Sequence, residues 1–148
     1  MSNIRGCNLP DDLYYLVEKH VWAKPVEGGV VRVGMTAVAA KLSGGKLAAV
    51  TVKAKNIGQE VKQGKSVATV ESSKFVGPVA SPISGVLLRG NEKLVNDPNL
   101  VVSDPYGEGW IGEMQPTDWE GEKASLATGA TGLAAYLAKL EADNISCS

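Results

Sequence analysis

Apolar and turn-forming positions repeat along the middle of this 148-residue chain with an offset of 33. Gly58, Val61, Gly64 and Val67 are answered by Asn91, Leu94, Asp97 and Leu100, so that turn-former meets turn-former and apolar meets apolar. Val50 and Val52 fall on Ile83 and Gly85, and Ala68 and Val70 fall on Val101 and Ser103. The pattern delimits two units, about 47–71 and 80–104, each reading as short strands broken by turn residues. One such unit is too small to bury its own apolar face, whereas two packed together share a core. The join between them, near residue 75, is then expected to be an exposed hairpin, with Val52 and Ile83 in the core.

The flanks carry different periods. Leu9-Pro10-Asp11-Asp12 has turn or helix-start chemistry, and the apolar run from Leu13 to Val17 suits either a strand or a helix. Val21 to Lys24 and Val30 to Val33 bracket a glycine-bearing connection, Pro25 to Gly29, which predicts a hairpin. Between Thr36 and Leu42 the apolar spacing lengthens to four, predicting a short helix capped by Thr36 and stopped at Gly44 or Gly45. Asp104 to Trp110 is a turn-rich corner followed by a strand-like Ile111. Thr117 and Glu120 have capping-box spacing ahead of a helix from Asp118 that sets Trp119 and Leu126 on one face. Gly129 and Gly132 are expected to interrupt, after which Leu133, Tyr136, Leu137 and Leu140 form an amphipathic stripe packed on the rest of the chain. The C-terminal helices span about 118–142.

Composition, with 44 % apolar and 21 % charged residues, fits a single domain over 1–148. Apolar runs stay far below the roughly 20 residues needed to cross a bilayer, and the N-terminus lacks signal-peptide layout, so no membrane insertion and a cytoplasmic location are expected. A net charge of -1 without an Lys/Arg-rich stripe argues against a nucleic-acid partner. Cys7 and Cys147 have no metal-ligand spacing, and with His20 the sole histidine no metal site is expected. The two thiols are read as reduced and incidental, or alternatively as candidate redox thiols exchanging with a sulfur-bearing cofactor.

Conventional catalytic layouts are missing: there is no G-x-S-x-G, no phosphate-binding G-x-x-x-x-G-K-[ST] loop and no Cys/His pair of known spacing. No catalytic residue is assigned: the carboxylates are plentiful but scattered, which leaves paired acid/base work open without pointing to it. The informative group is Lys74, in Glu71-Ser72-Ser73-Lys74-Phe75 beside the midpoint of the two units. A lysine on a hairpin either solvates the turn or, as an acylatable amine on a long stem, anchors a prosthetic arm.

Glu71-Ser72-Ser73-Lys74, then Pro82-Ile83-Ser84-Gly85, then Asp104-Pro105-Tyr106-Gly107-Glu108-Gly109-Trp110, together with His20-Val21-Trp22 and Gly34-Met35-Thr36, resemble the H-protein family of the glycine cleavage system. The resemblance covers most of the chain and implies a carrier that is not itself an enzyme. It implies a β-rich (α+β) fold, the lipoyl/biotinyl-type barrel-sandwich hybrid of two small antiparallel sheets with a short helix in the N-terminal half and helices at the C-terminus. It also implies lipoic acid joined by an amide to Lys74, with Glu71 and Ser73 as flanking recognition residues for a lipoate-protein ligase or other lipoyl-attachment enzyme. Heterologous expression can leave such a lysine unmodified. A biotin carrier resembles a lysine flanked by methionines, whereas the neighbours here are Ser73 and Phe75. His20 and Glu71 are read as packing or ligase-recognition residues.

Departures from that family pattern concern charge. Val21 stands where the family commonly has Glu, Gly44-Gly45-Lys46 lacks the usual Asp, Lys53 and Lys55 stand in place of acids, and Phe75 and Pro78 replace a small residue and an acid. Read as surface changes, these point to altered partners. With Arg5-Gly6-Cys7 and Leu9 to Tyr15, they are similar to the lipoate-binding branch that works with the heterodisulfide-reductase-like complex, implying that the arm carries sulfur in sulfur oxidation. The alternative is a glycine cleavage H-protein carrying the aminomethyl group among the P, T and L proteins.

Overall fold

The computed structural model describes residues 2–73 and 76–147. Alternating apolar positions produce β-strands throughout, and every strand pairing is antiparallel. The chain opens with a ribbon of β1 (Ser2–Ile4) and β2 (Cys7–Leu9). The run whose type the apolar pattern leaves open is a strand, β3 (Tyr14–Leu16). It pairs with β4 (Val21–Pro25), which turns through Glu27–Gly29 into β5 (Val31–Met35), the expected hairpin. Helix α1 (Ala37–Leu42) follows, and the Thr36 side chain accepts a hydrogen bond from the Ala39 backbone N–H, as the N-cap reading requires. Gly44 and Gly45 then turn the chain away with φ of 96° and 79°, a region open to glycine at little cost.

The first unit contains β6 (Ala49–Thr51), β7 (Glu60–Val61) and β8 (Ser66–Glu71), followed by β9 (Val76–Ala80) and β10 (Gly85–Gly90). The remainder of the second unit departs from expectation. Where strands are expected around Leu94 and Leu100, the chain forms single-turn helices α2 (Lys93–Asn96) and α3 (Leu100–Ser103). The 33-residue offset holds for burial at three pairs, Val50 with Ile83, Val61 with Leu94 and Ala68 with Val101, but fails at Val70, which is buried while Ser103 is exposed. Hydrophobic repetition therefore marks some of the inward positions and leaves the backbone type open, since short apolar runs suit either. Val52 is half-buried, packed at the margin of the core and not within it.

After the Asp104–Trp110 corner come β11 (Gly112–Pro116), α4 (Trp119–Glu122) and α5 (Gly129–Ala142). The α4 cap is Asp118, whose carboxylate accepts from Gly121 N–H, while Thr117 Oγ1 donates to the Ser84 carbonyl. The N-cap is thus one residue later than expected, and with Gly121 three residues on there is no reciprocal capping box. Only a 3₁₀ turn continues α4, so Trp119 and Leu126 do not share a helix face. Gly132 does not interrupt α5 either: it is buried, and a Cβ there would lie 2.6 Å from the Ala127 carbonyl carbon. Close approach of helix and chain explains the glycine.

A six-stranded sheet (β3-β4-β5-β11-β10-β7) faces a three-stranded one (β6-β8-β9). Their inner faces meet in one apolar core that joins Val31, Val33, Leu87 and Met114 to Val50, Val67, Val70 and Val79. The expected sandwich class holds, with unequal sheets and the N-terminal ribbon added. A second cluster, with Leu9, Tyr15, Trp22, Val38, Tyr136 and Leu140, docks α5 and the ribbon onto the outside. Among the described residues no helix is long and apolar enough to cross a membrane.

Candidate functional site

The segment that contains Lys74 is bracketed by β8 and β9, which pair from Ser66↔Ala80 to Glu71↔Val76. Residues 72–75 therefore connect two strands of a single tight antiparallel pair, and part of the expected join between units, Val76–Ala80, is itself strand. Glu71 and Ser73 are exposed, and Val76 is 66 % exposed. On its other side Glu71 pairs with Ala49, and its carbonyl accepts from Ala48 N–H at 2.7 Å. The root of the connection is thus held from both sides of β8. Lys74 and Phe75 lie outside the described residues.

The Pro82–Gly85 motif turns out to hold elements together. Ser84 donates through its backbone N–H and its hydroxyl to the two carboxylate oxygens of Glu122, both at 2.7 Å, and its Oγ accepts from Gln63 N–H at 2.9 Å. One carboxylate thereby joins the turn before β10 to α4. Gly85 sits so close to β11 that a Cβ would lie 2.5 Å from the Gln115 carbonyl oxygen. Glu122 was not legible as a partner, because nothing in linear spacing ties it to Ser84.

His20, Trp22, Gly34, Thr36 and Tyr106 converge behind α5. His20 is buried in a left-handed backbone conformation (φ 56°), and its Nδ1 lies 2.7 Å from the Tyr136 hydroxyl, which in turn lies 3.0 Å from Thr36 Oγ1. Burial lowers the imidazole pKa from its ordinary value; the Lys139 charge lowers it further and Asp143 opposes this. Desolvation likewise raises the phenols of Tyr15, Tyr106 and Tyr136, so all three stay neutral. Trp22 Nε1 donates to the carbonyls of Met35 and Pro105, and Tyr106 accepts from Ala37 N–H while donating to the Asn8 carbonyl. The Asp104–Trp110 corner thus anchors α1 and β2 to the sheet. Its Trp110 ring lies 4.7 Å beneath Arg32, which with Arg89 holds the buried carboxylate of Glu113. The packing reading of His20 fits this network.

Two expectations are corrected here. Cys7 and Cys147 are not reduced thiols: they form a disulfide with Cα atoms 4.9 Å apart. Nor is the terminus loose, since Cys147 N–H donates to the Arg5 carbonyl and Arg5 Nε donates to the Ile145 carbonyl. Sequence reasoning fails because the partners are 140 residues apart and only the fold brings them together. Second, Val21 is not a surface change. It is 2 % exposed and packs in the main core, where Val is the compatible residue. Lys46, Lys53, Lys55 and Pro78 are exposed, as the altered-surface reading requires.

Comparison with known proteins gives one consistent result. Residues 13–140 match the family described as glycine cleavage H-protein. Over 147 residues the chain is 40 % identical to glycine cleavage system H protein 2 of Aquifex aeolicus, covering 99 % of this chain and 89 % of that protein. It is 36 % identical over 149 residues to the probable glycine cleavage system H protein 2 of Sulfurisphaera tokodaii, covering 99 % and 98 %. A crystal structure of a glycine cleavage system H protein from Mycobacterium marinum superposes with a TM-score of 0.65 at 37 % identity, covering 74 % of this chain and 87 % of that one.

Proposed function

The chain belongs to the glycine cleavage H-protein family, and on that footing we propose that it is a lipoyl carrier, modified on Lys74, that shuttles an aminomethyl group between the enzymes of glycine cleavage. The observation that carries this reading is the coincidence of Glu71-Ser72-Ser73-Lys74 with the connection between two register-locked strands, inside the matched residues 13–140. The flanks suit the group: exposed Glu71 and Ser73 are accessible to an attaching enzyme, and β6 and β9 hold β8 on either side. A lipoyl group on that amine would supply a disulfide able to open and accept the transferred fragment. The β8–β9 pair would fix the root of the arm while the arm itself reaches on the order of 14 Å by bond-length addition. Nothing in this role requires an acid, base or nucleophile from the chain itself.

A second reading, sulfur carriage with a heterodisulfide-reductase-like complex, is favoured by one observation: exposed Lys53 and Lys55 give this surface a basic character suited to different partners. The Cys7–Cys147 pair, being closed, serves this reading only after reduction.

Intact-mass measurement of the chain co-expressed with a lipoate ligase tests the carrier role. The expected result is a mass increase of one lipoyl group, lost in Lys74→Arg while the melting temperature is retained; an unmodified wild-type chain from its native host overturns the role. Transfer of label from isotopic glycine in the presence of the decarboxylase then separates the aminomethyl reading from the sulfur reading, which predicts none.

A further inference from the structure

Charge is unevenly distributed along the chain. Residues 46–70 hold five lysines (46, 53, 55, 62 and 65) against one carboxylate, Glu60, a local net of +4. The whole chain has a net charge of -1, so the remainder has -5. Folding gathers part of this excess on one face. A groove of about 250 Å³ is lined by Thr51, Lys53, Lys55, Asn56, Ser66 and Thr69. Lys65 immediately precedes Ser66 and is exposed like Lys53 and Lys55. Among the described residues, salt bridges form at Lys62, Lys93, Lys123 and Lys139 and at Arg32 and Arg89, but at none of Lys53, Lys55 and Lys65. Of the acids near this face, Glu60 is engaged by Lys62, and Glu71 stands exposed at the far end of β8, beyond Thr69.

The position of the groove is as informative as its charge. Thr69 and Ser66 lie on β8, the strand that ends at Glu71. At about 3.4 Å per residue the groove begins roughly 7 Å from Glu71 and extends to roughly 17 Å from it. A surface that contacts the groove therefore meets the end of the hairpin as well. The hydroxyls of Thr51, Ser66 and Thr69 and the amide of Asn56 add neutral hydrogen-bonding groups that a carboxylate can share with the ammonium groups.

We propose that this groove on the β6-β8-β9 sheet is a docking surface for an acidic segment of a partner protein, aligning that partner with the β8–β9 hairpin. An acidic polypeptide suits the chemistry better than a nucleic acid. The groove presents lysines as point charges, with neither arginine forks nor aromatic rings among its lining residues. The surface works by steering: attraction over a Debye length raises encounter rate and fixes orientation, and it weakens as salt increases. The assignment rests on the carrier reading only for the purpose of the surface.

Decaglutamate titrated into the isotopically labelled full-length chain, followed by amide NMR at low and high ionic strength, tests the surface whether or not lipoate is attached. The expected result is saturable shifts centred on Thr51, Lys55, Ser66 and Thr69, abolished at high salt. Lys53→Glu/Lys55→Glu weakens binding roughly tenfold or more, Lys53→Gln/Lys55→Gln weakens it less, and Lys24→Glu, on the larger sheet, leaves it unchanged. Thermal melts confirm that each variant is folded, and the milder Gln pair stands in should the Glu pair not fold. Shifts spread over all lysines, no shifts at the groove, or tighter binding of an oligothymidylate or of inorganic phosphate at the same residues would overturn the proposal. Groove binding that persists in a chain never lipoylated in its host would leave the surface standing and remove only the carrier reading.

Discussion

Gly34 faces Trp22 across the β4–β5 ladder, and a Cβ built on Gly34 would lie 2.6 Å from the indole ring. The tryptophan has no room to retreat: it is fully buried and its Nε1 donates to two carbonyls, Met35 at 3.0 Å and Pro105 at 3.1 Å. Two stretches that read in sequence as separate motifs, one around His20 and one around Gly34, are therefore the two halves of a single packing contact.

Gly34→Ala is accordingly expected to destabilise the fold by about 2 kcal/mol or more, through overpacking and disturbance of the two indole hydrogen bonds. Denaturant unfolding followed by tryptophan fluorescence measures this. An alanine variant with an unchanged midpoint would show that the ring has freedom the packing denies it.

The His20–Tyr136–Thr36 chain gives a pH dependence. Burial lowers the folded-state pKa of His20 below its ordinary 6.5, so protonation favours the unfolded chain. Its contribution to stability is complete above that ordinary value and declines as pH falls below it towards the folded value. Melting temperature is expected to fall as pH is lowered from about 6.5 to about 5.5, a window above the carboxylate range. Lys139 and Asp143 are the charged groups bearing on the ring, and they pair with each other at 2.9 Å. His20→Asn tolerates the left-handed backbone and does not titrate. That variant is expected to be less stable at neutral pH but flatter across the window; an equal slope in both proteins would exclude His20 as the source.

The Cys7–Cys147 bond closes nearly the whole chain into one loop, so its effect on the unfolded state is large. Reduction, or replacement of both cysteines by serine, is expected to cost roughly 2–4 kcal/mol. Paired thermal melts with and without a phosphine reductant measure it. Identical melts would mean that the hydrogen bonds from Cys147 and Arg5 alone keep the terminus in place.

Much of the architecture was legible because it depends on local chemistry. The β4–β5 hairpin, the Thr36 cap and the α5 stripe follow from turn residues and periodicity. The failures share a cause. Leu94 and Leu100 repeat the six-residue apolar spacing of Val61 and Val67, but they lie in short helices because isolated apolar positions between turn-formers suit turns of helix as well as broken strands. Gly132 looked like a breaker and is a contact surface. Cys7 with Cys147, Ser84 with Glu122 and His20 with Tyr136 are separated by 140, 38 and 116 residues, distances over which no linear pattern carries information. Of the candidate site, the motif and its place between two strands were visible in sequence, and the pairing of β8 with β6 on its other side was not.

Val52 and Ile83, equal as core candidates in the repeat, differ in the fold. Ile83 is fully buried between the sheets, whereas Val52 is half-buried and lies against Gly90, where an added Cβ would sit 2.9 Å from its own. Removing the Ile83 side chain leaves a cavity that the surrounding sheets cannot close, and Ile83→Ala is expected to cost about 2–5 kcal/mol. Val52→Ala loses only partial burial and opens a groove already in contact with solvent, for about 1 kcal/mol. Measured by denaturant unfolding at constant m, the two should differ by at least about 1 kcal/mol. Equal losses would mean that the core extends to Val52, and that the hydrophobic repeat describes packing at this position better than burial in the folded chain does.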